Sequence, residues 1–320
     1  MALTLGAMVV SVALVEGALQ LGVAIGGPAI LADPAHYADP LRDPWFWQVV
    51  AAQAGPGFEA AVRAHPVLGW VPLSDVPPPF GAGASAAVVL GDSFLAGTGP
   101  ERGTFARALE VGLSARTGTP WLVHDAAVGG YCLGQIVLRL ESLAPLPPGT
   151  PVVVGVMTED IDRALLPWRP WPKPAWTAAP DGALVAQTAH LGRAVPPPAA
   201  RVLALARVRR ALGVATPEGE TTKEQVGRAL LRRLGAVCAA RGLRCLLVPL
   251  VPEHTRGAPR DWRVDLLRDG ATGLDVAPVW PMSGDAGPLY KADRHPTAGA
   301  LAQLAARVEP WVRGGPGGAR

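Results

Sequence analysis

The chain has 320 residues, 49% hydrophobic and only 17% charged, enough apolar material for one sizeable core or two small ones and too much for a disordered chain. Its formal charge of +3 comes from scattered cations. The nearest to clusters, Arg207, Arg209 and Arg210, then Arg228, Arg232 and Arg233, read as solvated helix faces, which argues against nucleic-acid binding. Three cysteines are too few for a disulfide scaffold, and no Cys/His group has metal-ligand spacing, so no metal is expected.

Residues 1–32 open the chain with an almost unbroken apolar run, interrupted by Ser11, Glu16 and Gln20. The run is long enough to cross a hydrocarbon core about 30 Å thick. Glu16 opposes insertion, since a mid-membrane charge costs roughly 2.5–3.5 kcal/mol for comparable residues, while each Leu, Val or Ile returns a few tenths. No Lys or Arg precedes the run and no clean Ala-x-Ala cleavage site appears. An uncleaved signal-anchor is favoured over a cleaved leader and over a buried amino-terminal helix. The expectation is a domain outside the cytoplasm held at a membrane, or a secreted or periplasmic one after cleavage.

Residues 33–84 are rich in Pro and aromatic side chains and read as a linker, ending in Pro77-Pro78-Pro79 and Gly81-Ala82-Gly83. An α/β alternation then runs over 85–313. Ala86–Leu90 is a strand, Thr104–Ala115 a helix, Trp121–His124 a strand, Leu133–Leu143 a helix and Val152–Met157 a β-branched strand. A Pro/Trp-rich insertion or lid, 167–198, interrupts the rhythm. Helices at Val202–Leu212 and Lys223–Ala240, a strand at Arg244–Val251, a helical piece near Asp261–Arg268 and a short strand at Leu274–Val276 follow. A helix from Thr297 to Val308 closes the fold, and 314–320 is a loose tail. Strands separated by helices imply an α/β fold with a mostly parallel, doubly wound sheet.

Gly91-Asp92-Ser93-Phe94 directly follows the first core strand, so a serine hydroxyl arrives at the carboxyl edge of the sheet, where such folds place their chemistry. Asp293 and His295 lie together about two hundred residues later. Ser, Asp and His in that order suit a nucleophile, an orienting acid and a base, although such triads occur in several orders. The plainer alternatives are a turn serine, a surface histidine at a helix start and a helix-capping aspartate. Gly91, Gly97 and Gly99 form no phosphate loop, because no Gly-Lys-Ser/Thr follows. Cys238 and Cys245 flank a helix-to-strand turn and either bridge in an oxidising compartment or pack as two small apolar side chains. Cys132 reads as buried packing. Trp168, Trp171 and Trp176, with Arg163, Arg169 and Lys173, either stack on a sugar or shelter an acyl chain, or belong to a proline-stiffened loop packed on the domain.

Three blocks carry a resemblance. Gly91-Asp92-Ser93-Phe94, Asp125-Ala126-Ala127-Val128-Gly129-Gly130-Tyr131 and Asp293-x-His295-Pro296 resemble the first, second and last blocks of the SGNH (GDSL) hydrolases, over about Gly69 to Val312. The segment from Arg163 to Leu184 resembles one seen in membrane-anchored members of that family. The resemblance implies a three-layer α/β/α flavodoxin-like domain and acyl-ester chemistry with Ser93, Asp293 and His295 as the triad. It implies an oxyanion site from the backbone N–H groups of Ser93 and Gly130, Gly130 otherwise being a plain turn glycine. The family's third donor is an Asn; Glu159 stands in its place, and an ionised carboxylate only accepts hydrogen bonds. Either Glu159 is protonated, or it points away and Thr158 or a backbone N–H donates instead, or catalysis is crippled. The substrate expected is an acylated glycan, a lipid or a small ester, with no cofactor. The rivals are O-acyl transfer to an envelope polysaccharide and a non-catalytic binding protein of the same fold.

Overall fold

A computed structural model describes residues 10, 11, 13–18, 21, 61–75, 85–98, 102–167, 171–179, 183–188, 191, 220–253, 261–281 and 288–314. In chain order the elements are β1 (Val62–His65), β2 (Gly69–Pro72), β3 (Ser85–Leu90), α1 (Ser93–Ala96), α2 (Thr104–Thr117), β4 (Trp121–Asp125), α3 (Leu133–Ser142) and β5 (Pro151–Met157). They continue with α4 (Thr158–Arg163), β6 (Ala175–Ala178), β7 (Leu184–Gln187), α5 (Glu220–Ala240), β8 (Arg244–Leu250), α6 (Trp262–Asp269), β9 (Asp275–Val276) and α7 (Ala298–Val312).

Five strands form one sheet in the order β4-β3-β5-β8-β9, and every pairing is parallel. The inner strands are apolar at nearly every position because both of their faces are covered. Val88, Leu90, Val154 and Leu247 face one layer, with Ile136 of α3 and Leu230 of α5. Ala87, Val89, Val153 and Val248 face the other, with Leu109 of α2 and Leu304 of α7. Helices on both faces make the three-layer α/β/α architecture expected from the sequence. Each fully buried Val or Leu contributes roughly 1.5–3 kcal/mol, so the sheet is the stable platform of the molecule.

The structure departs from the sequence reading in two places. The segment read as a linker contains the antiparallel hairpin β1–β2, with Leu68, Trp70 and Val71 fully buried. His65 closes its loop, its Nδ1 accepting from the N–H groups of Val67 and Leu68 at 3.2 and 3.0 Å. The hairpin docks on α3: Tyr131 donates its hydroxyl to the Trp70 carbonyl at 2.6 Å, and Gln135 Nε2 donates to the Leu68 carbonyl at 2.8 Å. The second departure is the Pro/Trp-rich insertion. Its described part includes the hairpin β6–β7, and Trp176 is buried in the core beside α3 and α5. A side chain on Gly134 would meet Trp176 Nε1 at 2.0 Å, so the indole requires glycine there.

Cys238 and Cys245 form a disulfide with an S–S distance of 2.07 Å, tying the end of α5 to the start of β8. The expected helix at 202–212, the tail at 315–320 and most of the apolar run at 1–32 lie outside the described residues. Among the described residues no helix is long and apolar enough to cross a membrane.

Candidate active site

The chain leaves β3 towards β4 on one side and later crosses to β5 on the other, so the strand order reverses at the carboxyl end of β3. Ligand crevices of open α/β sheets form at such a point. Asp92 caps the short helix α1, its Oδ1 accepting from the Phe94 N–H at 2.8 Å. Ser93 is therefore the first helical residue, and its N–H is one of the donors that a helix cannot satisfy internally. Its Oγ lies 2.9 Å from Nε2 of His295, across 202 positions of sequence.

His295 and Asp293 sit on a tight loop before α7. Lys291 N–H donates to the His295 carbonyl at 2.8 Å and Arg294 N–H to the Lys291 carbonyl at 2.9 Å. Arg294 takes φ of 65°, the left-handed conformation that ends such three-residue loops. That kink lets two residues only two positions apart address each other. Asp293 Oδ1 accepts from the His295 N–H at 3.1 Å, while its Oδ2 is 3.4 Å from His295 Nδ1. The second contact is longer than a good hydrogen bond, as catalytic contacts often are without substrate. Burial opposes ionisation of Asp293, but the His295 N–H, the imidazole and the Lys291 ammonium outweigh it and hold the carboxyl below its ordinary value.

Lys291 and Thr98 were not singled out from the sequence. Lys291 Nζ donates to Thr98 Oγ1 at 2.7 Å and lies 3.5 Å from Asp293 Oδ2. Thr98 Oγ1 donates to the same Oδ2 at 3.5 Å. The loop carrying Asp293 is thereby tied to the segment following the Ser93 turn.

The second block forms a turn against Ser93. Val128 N–H donates to the Gly91 carbonyl at 3.0 Å, and Tyr131 N–H to the Val128 carbonyl at 3.2 Å. Gly130 has φ of 82°, and a side chain on Gly129 would begin 3.7 Å from Ser93 Cβ. The turn thus packs against Ser93 at Gly129 with too little room for a large side chain there.

Glu159 takes no part in that donor set. It is buried and accepts from Arg163 Nη2 at 2.5 Å. Arg163 also donates to Asp160 Oδ1 at 3.0 Å and lies 3.6 Å from Asp92 Oδ2, so one guanidinium serves three buried carboxyls. Burial pushes the Asp92 carboxyl up against the pull of Arg163. Burial and the neighbouring Asp92 push Asp160 well above the usual carboxylate range. The expected doubtful oxyanion role of Glu159 is therefore replaced by an internal ion pair. A Glu and an Arg four residues apart on one helix were the sequence signal for it. Thr158 Oγ1 is buried beside this cluster with no hydrogen-bond partner among the described residues.

The aromatic cluster is also corrected. Trp176 is fully buried under Arg233, whose guanidinium carbon is 5.2 Å from the ring, so it offers no substrate surface. Trp171 packs partly buried on the same core, and Trp168 lies outside the described residues. Cys132 is buried and reduced, with the buried ammonium of Lys173 3.5 Å from its sulfur. Lys173 also donates to the Arg163 carbonyl at 2.5 Å, and burial lowers its pKa.

No protein-family model matches the chain, and no curated protein matches it. Solved structures do. TesA is 17% identical with a TM-score of 0.43, covering 72% of this chain and 99% of that one. The lipase/acylhydrolase from Enterococcus faecalis is 14% identical with a TM-score of 0.41, covering 72% of this chain and 96% of that one. A GDSL-like lipase from Bacteroides thetaiotaomicron is 12% identical with a TM-score of 0.36, covering 72% and 88%. Among the described residues no group of His, Cys, Asp and Glu could hold a metal ion.

Proposed function

We propose that the chain is an SGNH-type serine esterase acting on acyl esters, and the single observation carrying this is the 2.9 Å approach of Ser93 Oγ to His295 Nε2. Ser93 Oγ attacks the ester carbonyl carbon while its proton passes to His295 Nε2. The carbonyl electron pair moves onto oxygen, facing the Ser93 and Gly130 N–H groups. Collapse of the tetrahedral intermediate expels the alcohol, which takes the proton from the imidazolium, and leaves an acyl-Ser93 ester. His295 then deprotonates water as its oxygen attacks the acyl carbon; the second tetrahedral intermediate collapses with cleavage of the bond to Ser93 Oγ, which takes the proton back from His295 as the carboxylic acid leaves. An alcohol in place of that water makes the same step a transfer. Asp293 orients His295 and stabilises the imidazolium.

The place of action in this reading is the cell envelope, with the apolar run at 1–32 as membrane anchor. Two things support it: the length of that run, and the Cys238–Cys245 bond, which persists in oxidising compartments. A fluorophosphonate probe tests the chemistry without knowledge of the substrate. Labelling of the wild type that vanishes in Ser93→Ala and in His295→Ala is the expected result. Equal labelling of Ser93→Ala, or none of the wild type, overturns the esterase reading.

A further inference from the structure

The imidazole of His295 has to present Nε2 to Ser93, yet polar contacts hold it there only loosely. Nδ1 makes no hydrogen bond among the described residues, and Oδ2 of Asp293 is 3.4 Å from it. The Asp293 side chain is 53% exposed, so water and salt screen the attraction between the two. The oxygen is also shared, since Lys291 Nζ and Thr98 Oγ1 both lie 3.5 Å from it. The firm contact of the ring is the 2.9 Å approach of Nε2 to Ser93 Oγ. One such contact restrains rotation about the Cβ–Cγ bond weakly, because that torsion is broad and roughly two-fold.

Packing supplies a second hold. The ring of Phe94 stands 5.8 Å from that of His295, centroid to centroid, with the planes 53° apart, a tilted aromatic contact. Phe94 is itself buried and fixed: Asp92 Oδ1 accepts from its N–H at 2.8 Å, and the ring of Tyr290 lies 6.5 Å from its own. Tyr290 is fixed in turn. Its hydroxyl donates to the Val251 carbonyl at 2.7 Å, and its ring lies 5.9 Å from the buried indole of Trp280. Tyr290 also pairs with Pro296 across the base of the His295 loop, so one residue both backs the Phe94 ring and braces that loop. Ser93 and Phe94 are consecutive on α1. A single turn of helix therefore offers His295 both the hydroxyl it must reach and the surface it packs on.

We infer that Phe94, backed by Tyr290, is a positioning residue for His295: it keeps the imidazole turned with Nε2 towards Ser93, a task that Asp293 performs only in part. The inference deepens the esterase reading and rests on it for what Nε2 does, but not for how the ring is held. Two measurements on the full chain keep the failures apart. The first needs no activity: carbon-13 relaxation of the His295 ring is compared among wild type, Asp293→Ala and Phe94→Ala. The ring is expected to lose order in both variants, and more in Phe94→Ala. Wild-type ring order in Phe94→Ala overturns the inference, whatever the chain catalyses. Urea unfolding checks that each protein compared is folded. Where Phe94→Ala does not fold, Phe94→Leu, which keeps an apolar side chain but no ring, takes its place in both measurements. The second is the rate at which a fluorophosphonate labels Ser93 as its concentration is raised. The substitution at Phe94 should slow the limiting rate about tenfold and leave the half-saturating concentration within about twofold, because the ring aligns the base and does not hold the probe. An unchanged limiting rate, or a slowing that comes wholly from weaker probe binding, overturns the inference. Loss of ring order in the variant with no labelling of the wild type supports the hold on the ring and counts against the esterase reading alone.

Discussion

Replacing Arg163 with methionine should destabilise the protein more than most single substitutions, and increasingly so at higher pH. Arg163 is the shared partner of Asp92, Glu159 and Asp160 at 3.6, 2.5 and 3.0 Å, and all four side chains are buried. Removing one member of a buried ion pair costs about 3–5 kcal/mol, because the partner charge is left without compensation. For a domain of this size that is roughly 6–20 °C in Tm. The pH dependence follows from the direction of the carboxyl shifts. Asp92 and Asp160 already sit above their ordinary values, and loss of the guanidinium raises them further. The folded state then holds protons that the unfolded state releases once pH exceeds the ordinary carboxylate range, so stability falls as pH rises, by about 1.4 kcal/mol per pH unit for each such group. Urea unfolding of wild type and Arg163→Met at pH 5 and pH 8 measures both effects. Adding Glu159→Gln should recover part of the loss at pH 8. A variant within about 1 kcal/mol of wild type at pH 8, or an identical penalty at both pH values, would refute the view that these carboxyls depend on Arg163.

Asp125 offers a separate pH test: burial raises its carboxyl to about 6, against the Ala127 N–H and Arg102. The folded state should therefore lose about 3 kcal/mol as pH climbs from about 4 to beyond 6, and a stability profile of Asp125→Asn should lack that decline. Asp293 is half-exposed and 3.4 Å from Nδ1, so Asp293→Ala should reduce kcat on the order of ten- to a hundredfold less than His295→Ala, measured on an aryl acetate. Gly130→Ala, forced to keep φ of 82°, should cost about 1–2 kcal/mol of stability and lower kcat more than KM, as steady-state kinetics would reveal. Cys238→Ser opens a link between residues seven apart, and a loop that short predicts a loss of about 2–3 kcal/mol in urea unfolding.

The central sheet was legible because its strands are buried on both faces, leaving runs such as Val152–Met157 with no polar interruption. The meeting of Ser93 and His295 was legible because Ser93 follows a strand and His295 precedes a helix, positions that a parallel sheet gathers at one edge. The hairpin at Val62–Pro72 escaped notice because its four-residue strands are too short for a periodic signal, and Pro66 reads as an interruption. The tryptophans were read two ways because composition alone does not separate a ring offered to a ligand from one sunk against a glycine, as Trp176 is against Gly134. Glu159 was judged by alignment with an asparagine, when its neighbour one helical turn later had already claimed its charge.

The docking of β1–β2 carries the described fold upstream of β3. Trp70 meets the ring of Tyr131 edge-on at 5.5 Å, directly after the turn that carries Gly130. Trimming the gene at the glycine-rich stretch before Ser85 would look harmless on paper, yet it would remove an indole packed against Tyr131, the residue after Gly130. Any shortened version meant to retain chemistry has to start upstream of Ala61.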